Sequence, residues 1–149
     1  MAAASPKSLR ARALKALAQR EHSRDELEAK LRPFAETPEE LGPLLDDLEK
    51  RGWLSEARFV EQLTTVRRRR FGAARILHEL RDKGVSSAAL AALRPQLKNS
   101  EIEAARAVWT KKFGKLPATL VERAKQARFL ASRGFSAEVV HQVLRTDEE

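Results

Sequence analysis

Four consecutive arginines, Arg67 to Arg70, stand before Phe71-Gly72, and Arg75 and Lys83 lie on the helical stretch that follows. A second basic group, Lys111, Lys112, Lys115 and Arg123, brackets Phe113-Gly114 further along. A guanidinium fork can donate two parallel hydrogen bonds to a phosphate, and amides at the next helix start can add to them. The chemistry that suits these residues is contact with phosphate or with an acidic protein surface, not bond making. Six to ten such contacts lose a factor of about 10³ to 10⁵ in affinity between 50 and 200 mM salt. Unaided DNA binding is therefore expected to be weak, and a second binding surface is needed.

Catalytic readings find little support. His22, His78 and His141 lie far apart, and none has a second histidine at ligand spacing. There is no cysteine, which removes disulfides, thiol catalysis and thiolate metal sites and fits a reducing compartment. No Walker loop, GxGxxG, HExxH or GxSxG occurs. The six glycines all fall near expected helix ends, so none remains for a phosphate-cradling loop. No enzyme activity, cofactor or metal is expected. The carboxylates from Glu36 to Glu49 alternate with leucines and read as the solvated face of a helix.

The net charge of +8 is unevenly spread. Residues 1–20 hold five bases and no acids, residues 21–60 six bases and eleven acids, and residues 62–136 seventeen bases and five acids. The last stretch has the charge footprint of a surface that faces polyanions. No apolar run approaches the roughly 20 residues of a membrane span, and the N-terminus does not resemble a signal peptide. A cytoplasmic monomer without membrane contact is expected.

The apolar spacing and cap signals predict nine helices and no strand. Leu9, Ala13, Leu14 and Leu17 mark the first, from about Ser8 to Glu21. Ser23-Arg-Asp-Glu26 is a capping box before Leu27, Leu31 and Phe34, all expected to be buried. Thr37-Pro-Glu-Glu40 caps a third helix carrying Leu41, Leu44, Leu45 and Leu48, although Pro43 leaves open a later start at Gly42-Pro43. Trp53-Leu54 is expected to pack back on this helix. The fourth has its stripe at Phe59, Leu63 and Val66. That stripe continues to Arg70, which is expected to snorkel or cap, whereas Arg68 points away from the core. The fifth runs from Ala73 to Lys83. The sixth is short, with Leu90 and Leu93, and is expected to end at Pro95 before a linker from Gln96 to Asn99. Ser100-Glu-Ile-Glu103 and Thr119-Leu-Val-Glu122 are capping boxes for the seventh and eighth. Ile102, Ala105, Val108 and Trp109 are expected to face inward from the seventh. Ser136 caps the ninth, and the acidic tail from Thr146 to Glu149 is expected to fray.

The helices repeat as a three-helix unit. A shift of 49 places His22-Ser23 on Phe71-Gly72 and Leu31 on Leu80; a shift of 42 places Phe71-Gly72 on Phe113-Gly114; a shift of 50 places Gly84 on Gly134. The eight-residue difference between the last two is an insertion after Gly114, around Lys115-Leu-Pro117. The expectation is an all-α, elongated, curved array of three tandem three-helix repeats, at about 8–54, 55–97 and 100–145, forming a single domain over 1–149. The basic groups would then line one continuous stripe. A base-reading helix-turn-helix is the competing form of DNA binding, but Ser86 to Leu93 offers mainly Ala and Leu to a groove.

Several segments resemble the RecX family of regulatory proteins. They are Arg20-Glu-His-Ser-Arg-Asp-Glu-Leu-Glu-Ala-Lys-Leu31, Arg51-Gly-Trp-Leu-Ser-Glu-Ala-Arg-Phe59, the stretch from Arg70 to Val85, and Arg128-Phe-Leu-Ala-Ser-Arg-Gly-Phe135. The resemblance covers about Ala11 to Leu144, in the family's order. It implies tandem three-helix repeats and a bacterial modulator of the RecA recombinase. Such a protein binds the RecA filament and suppresses its growth, ATP hydrolysis, strand exchange and co-protease activity. The basic stripe itself is expected to bind DNA only weakly and without sequence preference. The alternative is a basic helical DNA-binding protein or transcription regulator that acts without RecA.

Overall fold

The computed structural model describes residues 8–145, and every regular element among them is helical. α1 (Leu9–Gln19), α2 (Arg24–Leu31) and α3 (Leu41–Lys50) come first. α4 (Glu56–Arg67), α5 (Ala73–Asp82) and α6 (Ser87–Asn99) follow, then α7 (Glu101–Lys112), α8 (Leu120–Ser132) and α9 (Ala137–Leu144). Two turns of 3-10 helix, Arg32–Phe34 and Pro38–Glu40, lie between α2 and α3. The tail from Thr146 to Glu149 lies outside the described residues.

Hydroxyl caps start most of these helices. Ser8, Ser23, Ser55, Ser86, Thr119 and Ser136 each accept a hydrogen bond from the amide three residues ahead, at 3.0 to 3.3 Å. Each such cap stabilises its helix by about 0.5–2 kcal/mol. The Ser23 box is complete, because Glu26 reaches back to the Ser23 amide at 3.0 Å. Pro43 sits at the third position of α3, where an amide would have no partner within the helix, so it costs no hydrogen bond.

The chain divides into two compact units. Among the described residues, the first holds 8–62 together with Lys83–Val85, and the second holds Leu63–Asp82 and 86–145. In the first, Leu27, Leu31, Leu41, Leu45, Leu48 and Leu54 close on Ala13 and Ala16, whose small side chains let α1 approach. In the second, Ile76, Leu77 and Leu80 of α5 and Leu90, Leu93 and Leu97 of α6 are buried. Ala105, Val108, Leu130, Phe135, Val140, Val143 and Leu144 form the core of α7 to α9.

Several expectations are corrected. α6 runs through Pro95 to Asn99, so Gln96 to Asn99 are helical and not a linker. Leu97 continues the stripe of Leu90 and Leu93, and its burial outweighs the single backbone bond that proline removes. Ser100 does not cap α7 through its side chain; its hydroxyl lies within bonding distance of the Gln96 and Leu97 carbonyls and accepts from Arg68. Phe34, Val66, Ile102 and Trp53 are substantially exposed and do not join a core. Phe34 follows α2 in a 3-10 turn, which rotates it off the α2 stripe, and the Arg12 guanidinium stacks 3.6 Å from its centroid. Leu54 is buried as expected, whereas Trp53 contributes its amide, which donates to the Leu48 carbonyl. The carboxylates of α3 are engaged as well as solvated: Asp46 and Glu49 pair with Arg24, and Asp47 pairs with Arg10 and Arg51.

Candidate functional site

The geometry that matters lies in the second unit, where α4 gives way to α5. The Phe71 amide donates to the Arg67 carbonyl at 2.8 Å and closes the turn. The next amide, that of Gly72, donates to the carbonyl of Arg133 at 2.7 Å, beyond the end of α8. A Cβ on Gly72 would lie 2.5 Å from the Gly134 oxygen, so only glycine permits this approach. Gly134 has φ 95°, the left-handed turn that ends α8.

Arg133 thereby joins Arg69 and Arg70 around one cleft, with Lys111 and Lys112 of the last turn of α7 on its wall. Val108 and Phe129 supply its apolar lining, and its volume is about 420 Å³, within the general range for small-ligand sites. Phe129 meets the edge of Phe113 at 5.4 Å. The Arg133 guanidinium carbon and the Lys112 ammonium lie 4.9 and 5.4 Å from its ring centroid, contacts that help to hold both cations in place. None of the five cations has an acidic partner among the described residues. Five like charges around one concavity focus a positive potential there and attract anions.

The neighbouring arginines are used differently. Arg67 makes a two-pronged bond to Glu79, at 2.7 and 3.0 Å, which holds its guanidinium above its ordinary pKa. Arg68 is half-buried: it pairs with Glu101 at 2.7 Å, donates to Ser100 Oγ at 3.0 Å and also reaches the Leu97 carbonyl. Glu101 in turn accepts from the Ala73 amide at the start of α5, at 3.1 Å. Arg75 donates to the Ser132 carbonyl at 3.1 Å and lies over Phe71. Arg123 donates to the Leu144 carbonyl at 3.0 Å and lies beside His141. Lys115 is exposed and outside the cleft. Lys83 belongs to the first unit, where it donates to Glu26 at 3.1 Å.

Of the nine residues expected to form a stripe, the cleft thus brings together Arg69, Lys111 and Lys112. The outward placement of Arg68 is corrected, because the start of α7 brings Glu101 against it. Arg70 lines the cleft instead of capping α4. Arg133 is absent from the sequence-derived set, although the shift of 50 that places Gly84 on Gly134 also places Lys83 on Arg133.

An all-α chain of tandem three-helix units defines a helical-repeat protein, and its second unit carries an unpaired cationic cleft. A family model described as RecX, third three-helix domain, matches residues 99–144, the span of α7 to α9. The chain is 51% identical to the regulatory protein RecX of Leptothrix cholodnii, over 93% of this chain and 88% of that one. It is 47% identical to that of Ralstonia nicotianae, over 94% and 88%. The crystal structure of RecX from Lactobacillus salivarius shares the fold, with a TM-score of 0.75 over 91% of this chain and 92% of that one, at 17% identity. The chain belongs to the RecX family of regulatory proteins. Among the described residues, no helix is long and apolar enough to cross a membrane.

Proposed function

We propose that this chain inhibits the RecA recombinase by binding the RecA–DNA filament and suppressing its growth, ATP hydrolysis, strand exchange and co-protease activity. The observation that carries the reading is the cleft of Arg69, Arg70, Lys111, Lys112 and Arg133, five cations gathered around one concavity without an acidic partner among the described residues. In the filament groove this cleft meets DNA phosphate or an acidic RecA surface. Lys115 adds charge beside it, whereas Arg67, Arg68, Arg75, Lys83 and Arg123 hold the units in shape and act indirectly.

The first half of α6, up to Leu93, supports this reading over a base-reading helix, although Arg94, Gln96, Lys98 and Asn99 are exposed further along. Ala88, Ala91 and Ala92 face solvent there and offer no donor or acceptor to a base edge. The decisive measurement is ATP hydrolysis by RecA filaments on single-stranded DNA, titrated with this protein at salt high enough to abolish its binding to naked DNA. Inhibition well below one copy per RecA supports capping, and near-stoichiometric inhibition supports groove occupancy. No inhibition, with DNA binding only at low salt, would leave a basic DNA-binding protein that acts without RecA.

A further inference from the structure

The insertion between α7 and α8 has no counterpart in the preceding repeat, and neither the core nor the cleft accounts for it. It is nevertheless tightly built. The Trp109 indole donates to the Gln126 side-chain oxygen at 2.7 Å, and the Gln126 amide nitrogen donates to the Lys115 carbonyl at 3.1 Å. Gln126 is buried, with both ends of its amide engaged. Gly114 turns left-handed with φ 65°, and its amide donates to the Trp109 carbonyl at 3.1 Å. Glu122 accepts from the Ala118 amide at 2.8 Å, while its own amide donates to Thr119 Oγ1 at 3.1 Å.

This fixed loop hides little of its apolar surface. Leu120 is 85% exposed, Val121 78% and Leu116 38%. A buried glutamine and a closed cap therefore hold one conformation whose large apolar side chains face water. Ordering such a segment in advance removes a cost that binding would otherwise carry. The charges beside it indicate the partner. Lys115 and Lys125 are exposed and have no acidic partner among the described residues, and Lys125 lies four positions after Val121 on the same helical face. Ala124, between them, is small and exposed. Phosphate would satisfy the lysines but leave Leu120 and Val121 in water, whereas a protein surface can satisfy both.

We infer that the α7–α8 connection and the first turn of α8 form a preformed docking knob for a protein surface with an apolar socket rimmed by carboxylates. The inference rests on the function proposed above, in which that surface belongs to a protein subunit of the filament and not to its DNA. The knob supplies the second binding surface that the salt sensitivity of the cationic cleft requires.

The test compares wild type with Leu120→Ser/Val121→Ser, two exposed positions at which polar side chains leave the core intact. Affinity for RecA filaments on single-stranded DNA is measured at salt that abolishes binding to naked DNA, and affinity for the bare oligonucleotide at low salt. The expected result is a loss of about tenfold or more for the filament, with unchanged oligonucleotide affinity, helical circular dichroism and melting temperature. A variant that binds the filament within about twofold of wild type overturns the inference alone. So does an equal loss for the bare oligonucleotide, or a wild-type dimer in solution that the variant abolishes. A wild-type chain that does not bind the filament overturns the proposed function and takes the inference with it.

Discussion

The amide of Gly72 donates a 2.7 Å hydrogen bond to the carbonyl of Arg133, joining the start of α5 to the end of α8. This contact brings a residue remote in sequence to the arginine run and completes the cationic cleft. Gly72→Ala would place a methyl carbon 2.5 Å from the Gly134 oxygen, with backbone on both sides and no flexible side chain to move. The expected cost is about 1–3 kcal/mol, read as a lower urea midpoint with an unchanged slope. Phosphate affinity should fall as well, because Arg133 is displaced from Arg69 and Arg70. An unchanged midpoint would show that the two turns are not held against each other.

Arg68 and Arg69 are adjacent and chemically identical, yet their replacement should have very unequal effects on stability. Arg68→Ala leaves Glu101 buried with an uncompensated charge and is expected to cost about 3–5 kcal/mol. Arg69→Ala removes a cleft cation that makes no ion pair and should change stability by no more than about 0.5 kcal/mol. Urea denaturation of the two variants decides the point. The paired replacement Arg68→Leu/Glu101→Leu should recover much of the loss, since an apolar pair leaves no charge unpartnered. Charge reversal at Arg68 would accordingly report on folding more than on binding.

That difference marks the limit of what the sequence discloses. Helix starts are legible because they are local: Ser23 with Glu26 and Thr119 with Glu122 lie within one turn, and the structure closes the first as a full box, while at the second Thr119 caps the Glu122 amide and Glu122 accepts from Ala118 in place of Thr119. Stripes such as Leu41, Leu45 and Leu48 are legible for the same reason. The passage of α6 through Pro95 depends on where Leu97 is buried, which spacing alone does not reveal. Which arginine of the run meets Glu101 depends on a residue 33 positions away, and four identical side chains give no local clue. The basic character of the joint was readable, whereas the cleft required the Gly72–Arg133 contact.

The cleft should be visible in salt dependence. Each cation that contacts phosphate contributes about 0.7 to the slope of log K against log salt for single strands. Arg69→Ala/Lys111→Ala/Lys112→Ala should thus lower the slope by about 2, with little change in stability, when oligonucleotide binding is measured by fluorescence anisotropy. Arg67→Ala should leave the slope unaltered while reducing stability through loss of the bond to Glu79. A triple variant with the wild-type slope would remove the cleft from nucleic-acid binding and leave acidic protein as its target.

The first unit should lose stability on acidification, for two reasons of the same sign. Burial raises the Glu26 pKa, but hydrogen bonds from Arg20, the Ser23 amide and Lys83 outweigh it and bring the group down from 4.5 to about 2. Its contribution is complete above about pH 4.5 and is lost as pH falls toward about 2, because the unfolded chain takes up the proton first. His22 is buried; Nδ1–H donates to the Arg20 carbonyl at 3.0 Å, and Nε2 faces the Lys30 ammonium at 3.5 Å. Burial, followed by the charges of Arg20 and Lys30, takes its pKa below 6.5 despite the carbonyl bond. The native ring therefore stays neutral while the unfolded one charges, and stability falls as pH drops below about 6.5. Urea midpoints measured from pH 7.5 to pH 3 should show both limbs. His22→Gln should flatten the dependence immediately below pH 6.5, and Glu26→Gln the part below pH 4.5, each from a lower starting stability. A midpoint that rises on acidification would contradict both assignments, since each requires the unfolded chain to bind the extra proton.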